Sequence, residues 1–250
     1  MTEVFPVIRA GRALAWVVIA FGFVLLSLVV TWQAWAAGNF AYPVWYHLLA
    51  IDAHIAHYGP ENHVRPAFQT TTDGERMRLF GEIVEAIQHQ PQRLPELKYH
   101  RPDGSVIGPL LRPAEIQHLR DVAGLIRAFR WVAVVGAVCA LLLAAFAALR
   151  RWPLPPLRHF VLGALLPAAL VGVCLLVFGP TQVFYALHRM IFPPGHQWFF
   201  YYQQSLMSML MKAPDLFGGI AAEWAVSAAI VFVALLAVQR WLHVRLLRGR

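Results

Sequence analysis

Two histidines in this 250-residue chain have neighbours that suit proton transfer, His118 and His188. A neutral imidazole takes a proton and an imidazolium returns it near physiological pH. Asp121 lies three residues after His118, so on a helix the two side chains can meet. A carboxylate in that position orients the ring and stabilises its charged form. Arg189, next to His188, or a backbone N–H can face a developing oxyanion. Acyl transfer from an ester needs such service twice: a base for the incoming nucleophile and an acid for the departing alkoxide. The same residues also fit amphipathic surface histidines with no chemistry. On spacing alone both readings stay open, and the second leaves a non-catalytic membrane binding or assembly protein.

Other groups compete for attention. His54 and His57, with His47 and His63 nearby, could be metal ligands of a membrane hydrolase. Their spacing falls short of H-E-x-x-H, and no Glu or Cys completes a known signature. No metal is expected. A haem bundle needs histidines inside facing spans, whereas His159 and His243 lie at span ends. Ser27, Ser205 and Ser208 lack a G-x-S-x-G setting. Cys139 and Cys174 both fall in apolar stretches and read as packing residues. Glu223 is the one acid near a span interior, either functional or reaching the headgroups.

These residues must be positioned by membrane helices. The chain is 59% hydrophobic and 14% charged, against about 25% charged in soluble domains. Uncharged stretches of about 20 residues read as spans. Four are expected, at about 13–32, 130–148, 159–178 and 220–238. The first could be a signal peptide, with Ala34-Trp35-Ala36 as its cleavage site. It is longer than a signal h-region of roughly 7–15 residues, so an uncleaved anchor is expected. Pro153, Pro155 and Pro156 break the chain between spans two and three.

The N-terminus, the 150–158 loop and the C-terminal tail hold nine arginines, with Glu3 the only acid. Residues 36–128 carry nine Arg/Lys against ten Asp/Glu. The positive-inside rule therefore puts both termini in the cytoplasm and segments 36–128 and 180–219 outside a bacterial inner membrane. Trp32, Trp35, Trp45, Trp131, Trp152, Trp224 and Trp241 sit at span ends, as an aromatic belt does. The net charge of +8 is accounted for by these juxtamembrane clusters, which contact anionic lipids, and no nucleic-acid partner is expected. The fold class is all-α integral membrane: four transmembrane helices with an extracytoplasmic helical cap, as one membrane domain.

Within the outer segments, Met77, Phe80, Ile83, Val84 and Ile87 recur at helical spacing over Asp73–Gln88. Arg101-Pro-Asp-Gly104 is a turn signal. Residues 112–129 form a second amphipathic helix, with Pro113 at its first position, running straight into the second span. Val183–Gln203 is rich in aromatics and belongs at headgroup depth. Met207, Met209 and Met211 follow as a soft stretch suited to receiving acyl chains. Spans two and three form a hairpin, so His118 and His188 return to one outer surface.

Two segments carry a family resemblance. Ala114-Glu-Ile-Gln-His-Leu-Arg-Asp-Val122 before a span resembles an E-x-x-H-x-x-D-V motif. Phe184-Tyr-Ala-Leu-His-Arg-Met-Ile-Phe192, then Gln197-Trp-Phe-Phe200, resembles an aromatic histidine run before a Trp. Both are similar to the lipoprotein intramolecular transacylases, called Lit. Ala186-Leu187 rather than a Phe directly precedes the second histidine, and the loop Pro193-Pro-Gly-His196 is this chain's own. The resemblance implies a substrate, diacylglyceryl-modified bacterial lipoproteins, and a reaction, movement of the sn-2 acyl chain onto the α-amino group of the N-terminal cysteine to give the lyso-form. It implies His118 and His188 as catalytic, with Asp121 as the motif acid. Arg189, Phe184, Phe192 and Trp198 are the expected substrate contacts. No cofactor is expected, because the ester already has carboxylic oxidation level.

Overall fold

The computed structural model describes the backbone of residues 4–248 and the side chains of residues 11–157, 160 and 169–245. In chain order the elements are α1 (Val4–Ala37), α2 (Tyr42–Leu48), α3 (Ile51–Tyr58) and α4 (Asp73–Gln88), then β1 (Lys98–His100) and β2 (Val106–Pro109). The rest are α5 (Pro113–Leu149), α6 (Leu157–Phe178), α7 (Pro180–Ile191), α8 (Leu206–Met211) and α9 (Asp215–Arg248). The protein is an all-α membrane protein with one two-stranded hairpin.

Helices α1, α5 and α9 are each long and apolar enough to cross a membrane. The expected third span is α6, 22 residues long, or about 33 Å at 1.5 Å per residue. Beyond it the chain turns by 111° into α7. Gly179 takes φ +76 at the corner, a conformation that only glycine adopts without strain, and Pro180 then opens α7 with a fixed φ. The amphipathic stretch after His118 is continuous with the second span, because no Gly–Pro break separates Pro113 from Leu149. Its first turns carry Glu115, Arg120, Asp121 and Arg127, which cannot lie in hydrocarbon cheaply. The membrane-spanning part therefore begins near Arg130.

The chain divides into two compact units. One comprises the residues up to Thr31, Arg130–Leu187 and the residues from Ala225. It packs Trp16, Ile19 and Phe23 of α1 against Ala140 and Ala147 of α5, Phe160 of α6, and Phe232 and Leu236 of α9. A Cβ on Gly22 would strike Ala140 and come within 2.7 Å of the Gly136 carbonyl oxygen. Close approach through small residues is how helices associate where lipid removes the hydrophobic drive. Leu14, Val17, Phe21, Val135, Leu142 and Val233 point outward, an apolar exterior suited to lipid. Near the 150–158 loop, His243 Nε2 donates to the Trp152 carbonyl at 2.8 Å and Arg240 to that of Pro155 at 3.1 Å.

The other unit comprises Trp32–Phe129 and His188–Trp224. Its core gathers Tyr42, Tyr46, Ile51, Ile55, Leu79 and Ile83 with Tyr99, Leu206 and Leu210. Tyr42 stacks on Phe80 with ring centroids 3.9 Å apart, and its hydroxyl donates to the Leu210 carbonyl at 2.7 Å. Helix α4 has the expected bounds, capped by the Thr72 hydroxyl, which accepts from the Glu75 N–H. Phe80, Ile83 and Val84 are buried, as their spacing requires. The Arg101–Gly104 turn closes the β1–β2 hairpin, with Gly104 at φ +83. One expectation fails here. Met207, Met209 and Met211 do not form an open lining; all three are buried at 5%, 0% and 5% exposure. Helix α8 is a plug of the core, buried on every side.

Candidate active site

Helix α5 begins with a local solution to its own orphan N–H groups. Pro113 has no N–H in need of an acceptor, and the Glu115 carboxylate accepts the Arg112 N–H at 2.5 Å, the reciprocal half of a capping box. Glu115 is fully buried. Its other oxygen accepts from the Ser205 hydroxyl, which also caps α8 by accepting the Ser208 N–H at 2.9 Å. Burial holds the Glu115 carboxyl above its usual range, against the opposing pull of Ser205 and Arg112. Ser205 is thus a structural link between α5 and α8, and Ser27 bonds its own helix through the Phe23 carbonyl.

One turn further along, His118 is placed by rings. Its imidazole lies 4.7 Å from the Phe192 ring centroid and 5.8 Å from that of Phe200. Its Nδ1 is buried with no hydrogen-bond partner among the described residues. Burial first, and nearby His188 second, push His118 down from the usual 6.5 to about 4, while Asp121 acts in the opposite sense. His118 is therefore neutral at neutral pH.

His188 occupies the last turn of α7 and stacks on the same Phe192 at 5.3 Å, with the Trp198 ring 5.1 Å away. Phe192 is folded back onto this turn by its N–H, which donates to the His188 carbonyl at 3.0 Å. Two imidazoles 70 positions apart in the chain are thereby brought to one ring, within one compact unit. This arrangement holds a neutral imidazole, able to accept a proton, near a second one among the rings of Phe192, Trp198 and Phe200. It can pass a proton between a nucleophile and a leaving group.

Asp121 belongs to the site but has a partner that its spacing does not suggest. Its Oδ2 meets His196 Nδ1 at 2.7 Å, and its Oδ1 accepts from Gln117 at 3.0 Å. It forms no hydrogen bond with His118. His196 closes the turn Pro193-Pro194-Gly195-His196, its N–H donating to the Pro193 carbonyl at 3.2 Å, with Gly195 at φ +86. The signal for His196 is only that glycine turn, since its partner lies 75 residues away. Glu115 and Phe200 lie within the quoted motifs and Arg112 two residues before the first, but spacing gives none of them a role. The Arg112 guanidinium lies over Phe200, 5.8 Å from its centroid.

The remaining expected residues are placed as follows. Arg189 is exposed on α7, with no ion pair among the described residues. Phe184 lies in the first half of α7, its ring 5.9 Å from Tyr185, and falls in the membrane unit. His54 is wedged between Tyr58 at 4.8 Å and Tyr202 at 4.5 Å, and burial pushes it down to about 4. His57 packs on Tyr58, His47 on Tyr46. Among the described residues, no three His, Cys, Asp or Glu side chains stand where one metal ion could be held. Glu223 accepts from the Trp45 indole at 3.1 Å.

A family model described as lipoprotein intramolecular transacylase Lit matches residues 15–213. No curated protein matches. Two solved structures of the membrane-integral lipoprotein intramolecular transacylase Lit from Bacillus cereus resemble this fold. Each carries a single histidine replacement, to arginine in one and alanine in the other. The arginine variant aligns with TM-score 0.67 at 15% identity, covering 99% of this chain and 98% of that one. The alanine variant gives 0.65 at 14% identity with the same coverage.

Proposed function

This chain belongs to the lipoprotein intramolecular transacylase family, and from that premise we propose that its His118–His188 pair moves the sn-2 acyl chain of a diacylglyceryl lipoprotein onto the α-amino group of the lipidated cysteine. One observation carries the reading. The two motif histidines pack on a single ring, Phe192.

The chemistry follows from what each atom must do. The α-amine nitrogen attacks the sn-2 ester carbonyl carbon and gives up a proton to one imidazole. The carbonyl oxygen becomes an oxyanion, and the exposed Arg189 guanidinium is available to it. The C–O bond to glycerol then breaks, and the glycerol oxygen takes a proton from an imidazolium. The ester is exchanged for an amide with no net gain or loss of protons. His118, neutral because burial depresses it to about 4, is free to accept. Both reacting groups belong to one substrate, so holding them near one another supplies effective molarity. Phe192 and Trp198 offer apolar rings for the acyl chain to pack on.

Arginine clusters at the N-terminus, in the 150–158 loop and in the C-terminal tail support a cytoplasmic side for these regions. The unit bearing His118 and His188 then faces the outside of the bacterial cytoplasmic membrane, where lipidated proteins reside among membrane lipids.

The test is mass spectrometry of N-terminal lipopeptides from cells that lack their own transacylase and express this chain. Wild type should give N-acyl S-monoacylglyceryl cysteine, and His118→Asn or His188→Asn should give unchanged diacylglyceryl cysteine. Lyso-form at the wild-type level in either variant contradicts the assignment.

A further inference from the structure

His118 is held without any hydrogen bond of its own among the described residues. Its orientation comes from Phe192 and Phe200, and dispersion contacts with rings have little directional stiffness. Those two rings belong to one segment, separated by the Pro193–His196 turn. The imidazole therefore keeps its direction only while that segment stays in place.

A side-chain hydrogen bond fastens the middle of the segment to α5. It is the 2.7 Å contact between His196 Nδ1 and Asp121 Oδ2. Asp121 sits on α5 three residues beyond His118, so the fastening point is beside the ring that the segment holds. Gln117 secures the other carboxylate oxygen at 3.0 Å. The Asp121 side chain is 17% exposed, and a partly shielded carboxylate–imidazole bond is among the stronger ones available.

We propose that His196 and Asp121 are a positioning pair, whose hydrogen bond locks the Phe192–Phe200 segment against α5 and so sets the direction of the His118 ring. The proposal deepens the reading above and rests on His118 as a proton carrier. Besides its electrostatic pull on His118, Asp121 positions the ring through His196 and two phenyl rings, without a hydrogen bond to the imidazole. Neither member of the pair contacts the reacting atoms.

The experiment measures kcat and KM of the purified full-length protein in lipid, with a synthetic S-diacylglyceryl lipopeptide. The variants are His196→Ala, His196→Gln, Asp121→Asn and the His196→Ala/Asp121→Asn double. A small misplacement of a catalytic group costs up to about 100-fold, so His196→Ala should lower kcat by about 10- to 100-fold and leave KM within about threefold. His196→Gln keeps a donor for the carboxylate and should recover most of the rate. Members of one unit are non-additive, so the double variant should be no slower than the slower single. Ring signals of His118 in histidine-labelled protein should shift or broaden in His196→Ala.

A His196→Ala rate within about twofold of wild type overturns the proposal. So does a His196→Gln as slow as the alanine variant, or losses that multiply in the double. Should His196→Ala not fold, Asp121→Asn decides: slow supports the pair, near wild type overturns it. An active His118→Asn would sink the catalytic assignment itself, a result distinct from an active His196→Ala.

Discussion

Replacing Phe192 with alanine removes the ring that His118 and His188 share, and its consequence can be worked from the depressed pKa of His118. Burial, followed by the proximity of His188, takes that group from the usual 6.5 to about 4. At 1.36 kcal/mol per unit, the gap corresponds to about 3 kcal/mol against the charged form. Phe200 still covers the imidazole in the variant, so about half the gap should close, raising the group by about one unit. The direct assay is an NMR pH titration of histidine-labelled protein, with His118 assigned by its loss in His118→Asn. An unchanged His118 in Phe192→Ala refutes the reasoning, because shared burial would then not be the cause. A stability counterpart follows with a definite sign. Above pH 6.5 neither folded nor unfolded His118 carries a proton. As pH falls toward about 4 the unfolded chain gains one and the folded protein does not, so stability drops across that window. His54 falls in the same window, so the part due to His118 is the difference between wild type and His118→Asn.

Other outcomes follow from the same geometry. Arg189→Gln should slow turnover by about 100-fold, the cost of losing one oxyanion donor, measured as kcat on a defined lipopeptide. Glu115→Ala strands the Arg112 guanidinium and removes the partner of Ser205. It should cost about 3–5 kcal/mol, read as a fall in the denaturation midpoint of the purified protein. Met209→Ala should cost about 2–5 kcal/mol in the same assay and leave acyl-chain preference unchanged, since Met209 is fully buried.

The helices that carry the site were legible because they depend on local pattern. Asp73–Gln88 and the run from Pro113 into the second span follow from spacing at 3.6 residues and from proline at a first position. The likeness of Ala114–Val122 and Phe184–Phe192 to family motifs singled out His118 and His188. Burial of α8 was not legible. A Met-rich hexapeptide reads the same whether it lines an opening or plugs a core, and tertiary neighbours such as Tyr42 and Leu206 decide which. The Asp121–His196 bond was also hidden, because i, i+3 spacing favours His118 and gives no hint of a donor 75 residues on. Glu115 was quoted as a motif letter, yet its burial beneath Ser205 depends on a contact across 90 residues.

The central claim is that one substrate molecule passes its own sn-2 chain to its own amine under the care of His118 and His188. The measurement is a crossover experiment with purified protein. Two S-diacylglyceryl lipopeptides of different sequence, one bearing an isotopically labelled sn-2 chain, are mixed and the N-acyl products weighed. The account predicts labelled amide only on the peptide that began with the label, and no amide with His118→Asn or His188→Asn. Label appearing on the other peptide, an N-acyl group drawn from sn-1, or full activity without either histidine would contradict it.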